Sequence, residues 1–231
     1  MDAIIYYTDG RLPRQLGQAC FDRLLVAAEG APVVAVVPWD FEGWDIRGAD
    51  PCVPVFGVTR GTCDIYTKIM SGLLYVLPWG ATVGLAEHDV LYPPGYGSQT
   101  LTDGDFSYPA SIWCANESGF FLRPGRVTSC CIARVDALKA SILMRLQHIE
   151  NGGRIKWSEP GTMGEGTITT RTGGHQPIDI RHGGNLTGTR NAAEYVQRVP
   201  WVGNHADLWA DLGLEKEAEE NSKETTDDDE D

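Results

Sequence analysis

Thr82-Val83-Gly84-Leu85-Ala86-Glu87-His88-Asp89-Val90-Leu91-Tyr92-Pro93-Pro94 is the stretch on which the reading of this chain turns. Residues 82–86 form a short apolar run of the kind that makes a buried strand. The run ends in an acid, a histidine and a second acid, and a Pro-Pro-Gly break follows. Ionisable groups are costly to bury, so three at the end of a core strand imply that this end opens onto something that uses them. In open α/β sheets ligands bind at the carboxyl ends of the strands. Carboxylates there suit a hard divalent cation that also holds phosphate oxygens. The alternative is a solvated loop behind a core strand.

Upstream, residues 3–7 are apolar throughout and read as a first buried strand that runs into Thr8-Asp9-Gly10-Arg11. A polar turn between a first strand and a helix is where nucleotide-binding α/β domains contact base and ribose. Residues 14–29 have apolar positions near helical spacing, with Gly30 placed to stop the helix. Residues 33–37 give a second strand, and Pro38-Trp39-Asp40-Phe41-Glu42-Gly43-Trp44-Asp45 follows it. Its two indoles either stack on a base or sugar or pack over the sheet edge. Residues 53–58 read as a third extended segment weakened by Pro54. Residues 59–77 read as a helix with Ile65, Ile69, Leu73 and Leu77 on one face and Asp64 and Lys68 beside them. The alternation predicts a mainly parallel sheet with helices on both sides.

Downstream, residues 106–108, 111–114 and 120–123 look like short strands, with Asn116-Glu117-Ser118-Gly119 as a turn. Residues 134–149 predict an amphipathic helix ended by Asn151-Gly152-Gly153. Residues 157–190 show little periodicity and much Gly, Thr and Pro. So long a loop in a compact chain is functional or disordered. Its segment Asp179-Ile180-Arg181-His182-Gly183-Gly184-Asn185 favours function.

The 231 residues are 42% hydrophobic, which excludes wholesale disorder. The formal net charge of −13 is concentrated at the C-terminus. Residues 215–231 hold ten acids and two lysines, which leaves a net of about −5 for residues 1–214. A disordered acidic tail is expected there. An acidic body argues against general nucleic-acid binding, which needs a basic face. None of the six cysteines forms a CxxC pair, and no apolar run is long enough to cross a bilayer. A cytoplasmic protein with reduced thiols is expected, and a cysteine zinc site is not.

Ile5-Tyr6-Tyr7-Thr8-Asp9, Ala86-Glu87-His88-Asp89-Val90-Leu91-Tyr92 and Asp179-Ile180-Arg181-His182-Gly183-Gly184-Asn185, in that order, resemble the GT-A glycosyltransferases. Within them the chain is most similar to small family-2-type transferases of phages and uncultured bacteria. The resemblance covers residues 2 to about 190. It implies a GT-A-like domain over residues 1–214, with residues 1–92 binding the nucleotide sugar. Residues 93–214 would be a smaller β-rich acceptor side that also completes the metal site, and the tail lies outside. Glu87-His88-Asp89 stands where the family has an acid-x-acid motif binding Mn²⁺ or Mg²⁺. Asp89 would then be a direct ligand, with Glu87 on the ribose or a metal-bound water and His182 completing the shell. Glu87 departs from the family's usual Asp. His175 is a rival to His182. Asn185 and Arg190 would fold over the diphosphate, and Thr8, Asp9, Arg11, Asp64 and Lys68 would contact base and ribose. Lys68 could instead be a solvated helix charge paired with Asp64.

The activity implied is transfer of a sugar from a nucleoside diphosphate sugar, with a UDP-sugar as first choice. Asp136 and Glu159 are the candidate bases should configuration invert. The acceptor would be a saccharide or a hydroxymethylated pyrimidine in phage DNA, the latter placing the protein in a host cytoplasm. Arg123, Arg126, Arg134, Arg145 and Lys139 speak for DNA. Two other classes fit the residues. A two-metal phosphoesterase would use Glu87, Asp89, His175 and His182. A non-catalytic nucleotide-sugar-binding module would keep Asp9 and Asp89 and turn nothing over.

Overall fold

The computed structural model describes residues 1–56, 62–77, 81–155, 159–181 and 194–214. The apolar runs of residues 3–7, 33–37 and 82–86 become buried strands, and residues 52–55 a partly exposed one. These are β1 (Ala3–Tyr7), β2 (Val33–Pro38), β3 (Cys52–Val55) and β4 (Thr82–Glu87), with α1 (Arg14–Ala27) and α2 (Thr62–Val76) between them. They pair in parallel in the order β4-β1-β2-β3. After β4 come β5 (Val90–Leu91), β6 (Phe106–Pro109), β7 (Ser111–Asn116), β8 (Gly119–Pro124), β9 (Ile132–Arg134) and α3 (Val135–Glu150). The chain continues through β10 (Ile168–Arg171), β11 (Ile178–Ile180), β12 (Arg198–Val199), β13 (Gly203–Asn204) and α4 (His205–Asp211).

The large sheet has the order β10-β6-β9-β4-β1-β2-β3, and β9 alone runs against the other six strands. Side chains alternate across it. Ile4, Tyr6, Val33, Ala35 and Ala86 face α1 and the second sheet, whereas Ile5, Tyr7, Val34, Val36, Val83 and Leu85 face α2 and α3. The second sheet, β5-β11-β7-β8, adds Ile112, Cys114, Ile178 and Ile180 to the α1-side core. The predicted α/β class and mainly parallel sheet are present. Among the described residues no helix is long and apolar enough to cross a membrane.

Two differences from the sequence reading matter. Of the stretch expected to be one irregular loop, residues 159–181 hold two strands, β10 in the large sheet and β11 in the small one. Both are short, and Ile-Asp-Ile of β11 is held between two neighbours rather than by its own apolar length. Ile132 to Arg134 forms β9, a strand reversed between β4 and β6, where the sequence reading began a helix at 134. The predicted acidic tail, residues 215–231, lies outside the described residues.

Candidate functional site

The site forms where β1 and β4 end side by side. Tyr7 pairs with Glu87 in parallel register, so the loop after β1 and the Glu87-His88-Asp89 turn emerge together. Thr8 is fully buried, and its Oγ1 accepts the Gly10 amide proton at 2.9 Å. Asp9 Oδ1 likewise accepts from the Arg11 amide at 3.1 Å. Both side chains therefore shape the turn, which Gly10 completes at φ 75°. Thr8 serves the loop rather than offering its hydroxyl to a ligand, and Arg11 is exposed.

Asp89 is buried because the chain passes from one sheet to the other within two residues, from Glu87 at the end of β4 to Val90 at the start of β5. The Asp89 carbonyl accepts from the Ile180 amide at 2.8 Å. This fastens β11 beside the turn and brings in Asp179 and Arg181, two residues apart on one strand face. Arg181 Nη2 donates to Asp179 Oδ2 at 2.5 Å and approaches Cys114 Sγ at 3.8 Å. Asp179, Arg181 and Asp89 are all at least nine-tenths buried. The sequence reading quoted Asp179 and Arg181 without giving them a role. Their alternation about Ile180 was the available signal.

Four carboxylates, Asp9, Glu87, Asp89 and Asp179, thus gather at one edge, with the Arg181 guanidinium set against them. Burial pushes the Glu87 carboxyl well above the ordinary range, and the charges of Asp89, Asp179 and Asp9 push it further, opposed by Arg181. The Glu87 amide is fixed by Tyr92, whose hydroxyl accepts from it at 2.8 Å and donates to the Ser129 carbonyl at 2.8 Å. His88 turns toward Asp9 and Trp44. Its Nε2 lies 3.7 Å from Asp9 Oδ1, and its ring is 6.3 Å from that of Trp44.

Such oxygen donors suit a hard divalent cation. Among the described residues, however, no three His, Cys, Asp or Glu side chains converge on a single ion position. His182, the expected further ligand, lies outside the described residues, as do Asn185 and Arg190. Glu87 and Asp89 are close to each other; the coordination shell they would share is not complete from the described residues alone.

Other expected site residues lie elsewhere. Asp136 is not at this edge. Arg134 pairs with Thr82 at the beginning of β4, roughly 17 Å along that strand from Glu87 at about 3.3 Å per residue. Asp136 is exposed and paired with Arg134 at 2.9 Å, which holds its carboxyl below the usual range. A base must lie within hydrogen-bond reach of the proton it takes. Glu159 lines a separate cavity of about 450 Å³ with Arg123, Arg126 and Thr162, and its carbonyl accepts from Arg145. His175 is exposed and lines a different cavity, near Trp201.

Asp64 and Lys68 are not solvated. They form a buried ion pair at 2.7 Å in the first turns of α2, and Asp64 Oδ1 has no hydrogen-bond partner. The five basic residues do not form one acceptor face either. Arg145 is fully buried and paired with Glu165, and Arg134 sits at the far edge. Arg145 lies on the buried face of α3 with Leu138 and Ile142, and the Glu165 that balances it comes from the loop before β10.

No protein-family model and no curated protein matches the sequence. Among solved structures, that of 4-diphosphocytidyl-2C-methyl-D-erythritol synthase from Anaerococcus prevotii matches with a TM-score of 0.52 and 11% identity. The match covers 80% of this chain and 95% of that one. A second structure under the same enzyme name gives a TM-score of 0.39 at 11% identity, over 67% of this chain and 86% of that one. The likeness is one of fold. This chain has the GT-A-like α/β fold that its three motifs implied.

Proposed function

We propose that this chain is a metal-dependent transferase that takes a nucleoside diphosphate sugar, a UDP-sugar first, and passes the sugar to an acceptor hydroxyl. The observation that carries this reading is the convergence of Asp9, Glu87, Asp89 and Asp179 on one strand-end edge. Four carboxylates repel a bare diphosphate, so this edge favours one that arrives with a divalent cation, Mn²⁺ or Mg²⁺. When bound, the cation supplies charge neutralisation at the departing diphosphate. Glu87 and Asp89 would hold it, together with His182. Asp179 holds the Arg181 guanidinium in place, where it can meet phosphate oxygens. Asp9 and its turn lie on the nucleoside side. Asn185 and Arg190 keep their proposed place over the diphosphate.

A saccharide acceptor is favoured over a hydroxymethylated pyrimidine in DNA. Duplex binding rests on several cations neutralising phosphates along one face. Of the five basic residues expected to serve, Arg145 is in the core and Arg134 is paired with Asp136 at the opposite edge.

The fold likeness to a diphosphocytidyl-methylerythritol synthase supports a second reading, transfer of a nucleotidyl group from a nucleoside triphosphate. Calorimetry of UDP, CDP, GDP and ADP with and without manganese, on wild type and Asp89→Ala, tests the donor site. Cation-dependent binding that Asp89→Ala loses is expected, with UDP released from UDP-sugars on turnover. Release of pyrophosphate from CTP in place of UDP would establish the second reading. Nucleotide binding without turnover across an acceptor screen would leave a binding module, and hydrolysis of simple phosphate esters a phosphoesterase.

A further inference from the structure

Two aromatic rings stand in solvent at the same strand-end edge. Trp39 follows β2 and Phe56 follows β3, and they are 60% and 72% exposed. Their rings stack with centroids 5.7 Å apart and planes 12° from parallel. The Trp39 amide donates to the Val55 carbonyl at 3.1 Å, so the pair rides on the ends of two hydrogen-bonded strands. Trp44, in the same loop, shows what an indole does when it belongs to the core. It is 4% exposed and donates from Nε1 to the Tyr6 hydroxyl at 3.1 Å. Trp39 and Phe56, by contrast, stack on each other and stay mostly in solvent.

We propose that Trp39 and Phe56 form the platform on which the nucleobase of the donor stacks. This rests on the nucleotide reading above and adds the residues that grip the base. Strand order fixes the placement. The acids leave β4, the Asp9 turn leaves β1, Trp39 leaves β2 and Phe56 leaves β3, in adjacent order along one edge. At about 4.8 Å between strands, β2, which leads to Trp39, lies roughly 10 Å across the sheet from β4, which leads to the acids. That separation matches the reach of a nucleoside diphosphate from its base to its terminal phosphate, with the ribose over the Asp9 turn. The two loops are also in contact: a Cβ at Gly10 would lie 3.2 Å from the Phe41 ring and 3.6 Å from Pro38. An exposed flat ring pair needs a flat partner, and a base face stacked on aromatic rings provides one without requiring a particular base.

The test is calorimetry on the full chain with manganese, using UDP and, as a probe without a base, inorganic pyrophosphate. Trp39→Ala is expected to weaken UDP roughly tenfold and to leave pyrophosphate unchanged, while Trp39→Phe keeps most of the affinity. UDP should quench indole fluorescence in wild type and less in Trp39→Phe. Unchanged UDP affinity in both Trp39→Ala and Phe56→Ala overturns the platform and leaves the nucleotide reading standing. An equal loss for UDP and pyrophosphate also overturns it, because the substitution has then acted on the acid site or the fold. Wild type that binds pyrophosphate but none of UDP, CDP, GDP and ADP removes both the nucleotide reading and the platform and leaves a bare polyphosphate site. Wild type that binds neither pyrophosphate nor nucleotide removes the nucleotide reading and the platform with it.

Discussion

The Tyr92 hydroxyl accepts a hydrogen bond from the Glu87 amide and donates one to the Ser129 carbonyl, each 2.8 Å long, and Tyr92 is 2% exposed. This one side chain ties the last residue of β4 to the segment that leads into β9. Tyr92→Phe would leave a donor and an acceptor unsatisfied in a buried setting, at a cost of about 2 kcal/mol. Urea unfolding should show that loss with an unchanged slope. An equally stable variant would mean that water replaces the hydroxyl.

The Glu87 carboxyl gives a pH dependence of definite sign. Its folded value is raised by burial and by Asp89, Asp179 and Asp9, so the folded state keeps a proton that the unfolded chain releases near pH 4.3. Stability of the metal-free protein therefore falls as pH rises from that value through the folded one, and then levels off. Glu87→Gln cannot lose the proton. Its melting temperature should match wild type near pH 4 and exceed it increasingly toward neutrality. A constant difference across that range would contradict the assignment.

Arg145 carries a third prediction. It is fully buried against Glu165, and its Nη2 also donates to the Glu159 carbonyl at 2.8 Å. Glu165 in turn accepts from Ser141 Oγ at 2.7 Å, the Gly161 amide at 3.0 Å and the Met163 amide at 2.7 Å. Arg145→Leu strands that carboxylate and should cost about 3–5 kcal/mol. Adding Glu165→Gln should recover part of the loss, as read from chemical denaturation of both variants.

These residues also mark how far the sequence could be read. The apolar runs of β1, β2 and β4 and the period of α1 and α2 needed only local pattern, and they placed the Glu87–Asp89 turn at a strand end. The reversed strand β9 was hidden because three residues against a helix start carry no period of their own. Asp179 reaches the acids only through pairing of β11 with β5, roughly ninety residues back, and with β7, roughly sixty-five back. Asp136 lies away from the acids for the same reason: its place follows from the antiparallel register of β9, which no local pattern reveals. Lys68 and Asp64 show a third case, in which helical spacing paired them correctly and said nothing of their burial.

Gly17 couples α1 to the site through Trp44. It sits inside α1, where glycine is normally about 1 kcal/mol worse than alanine. Here a Cβ would lie 2.3 Å from the Trp44 ring, so the indole occupies the space that a side chain would fill. Trp44 cannot yield freely, because its Nε1 is bonded to the Tyr6 hydroxyl and its ring lies beside His88. Gly17→Ala should therefore reverse the usual sign and destabilise by about 1–3 kcal/mol. It should also weaken manganese-dependent UDP binding, because Trp44 backs His88 and His88 faces Asp9. Gly17→Ala combined with Trp44→Phe, which trims the indole, should recover stability. A Gly17→Ala protein that is more stable than wild type would show that the loop bearing Trp44 moves aside.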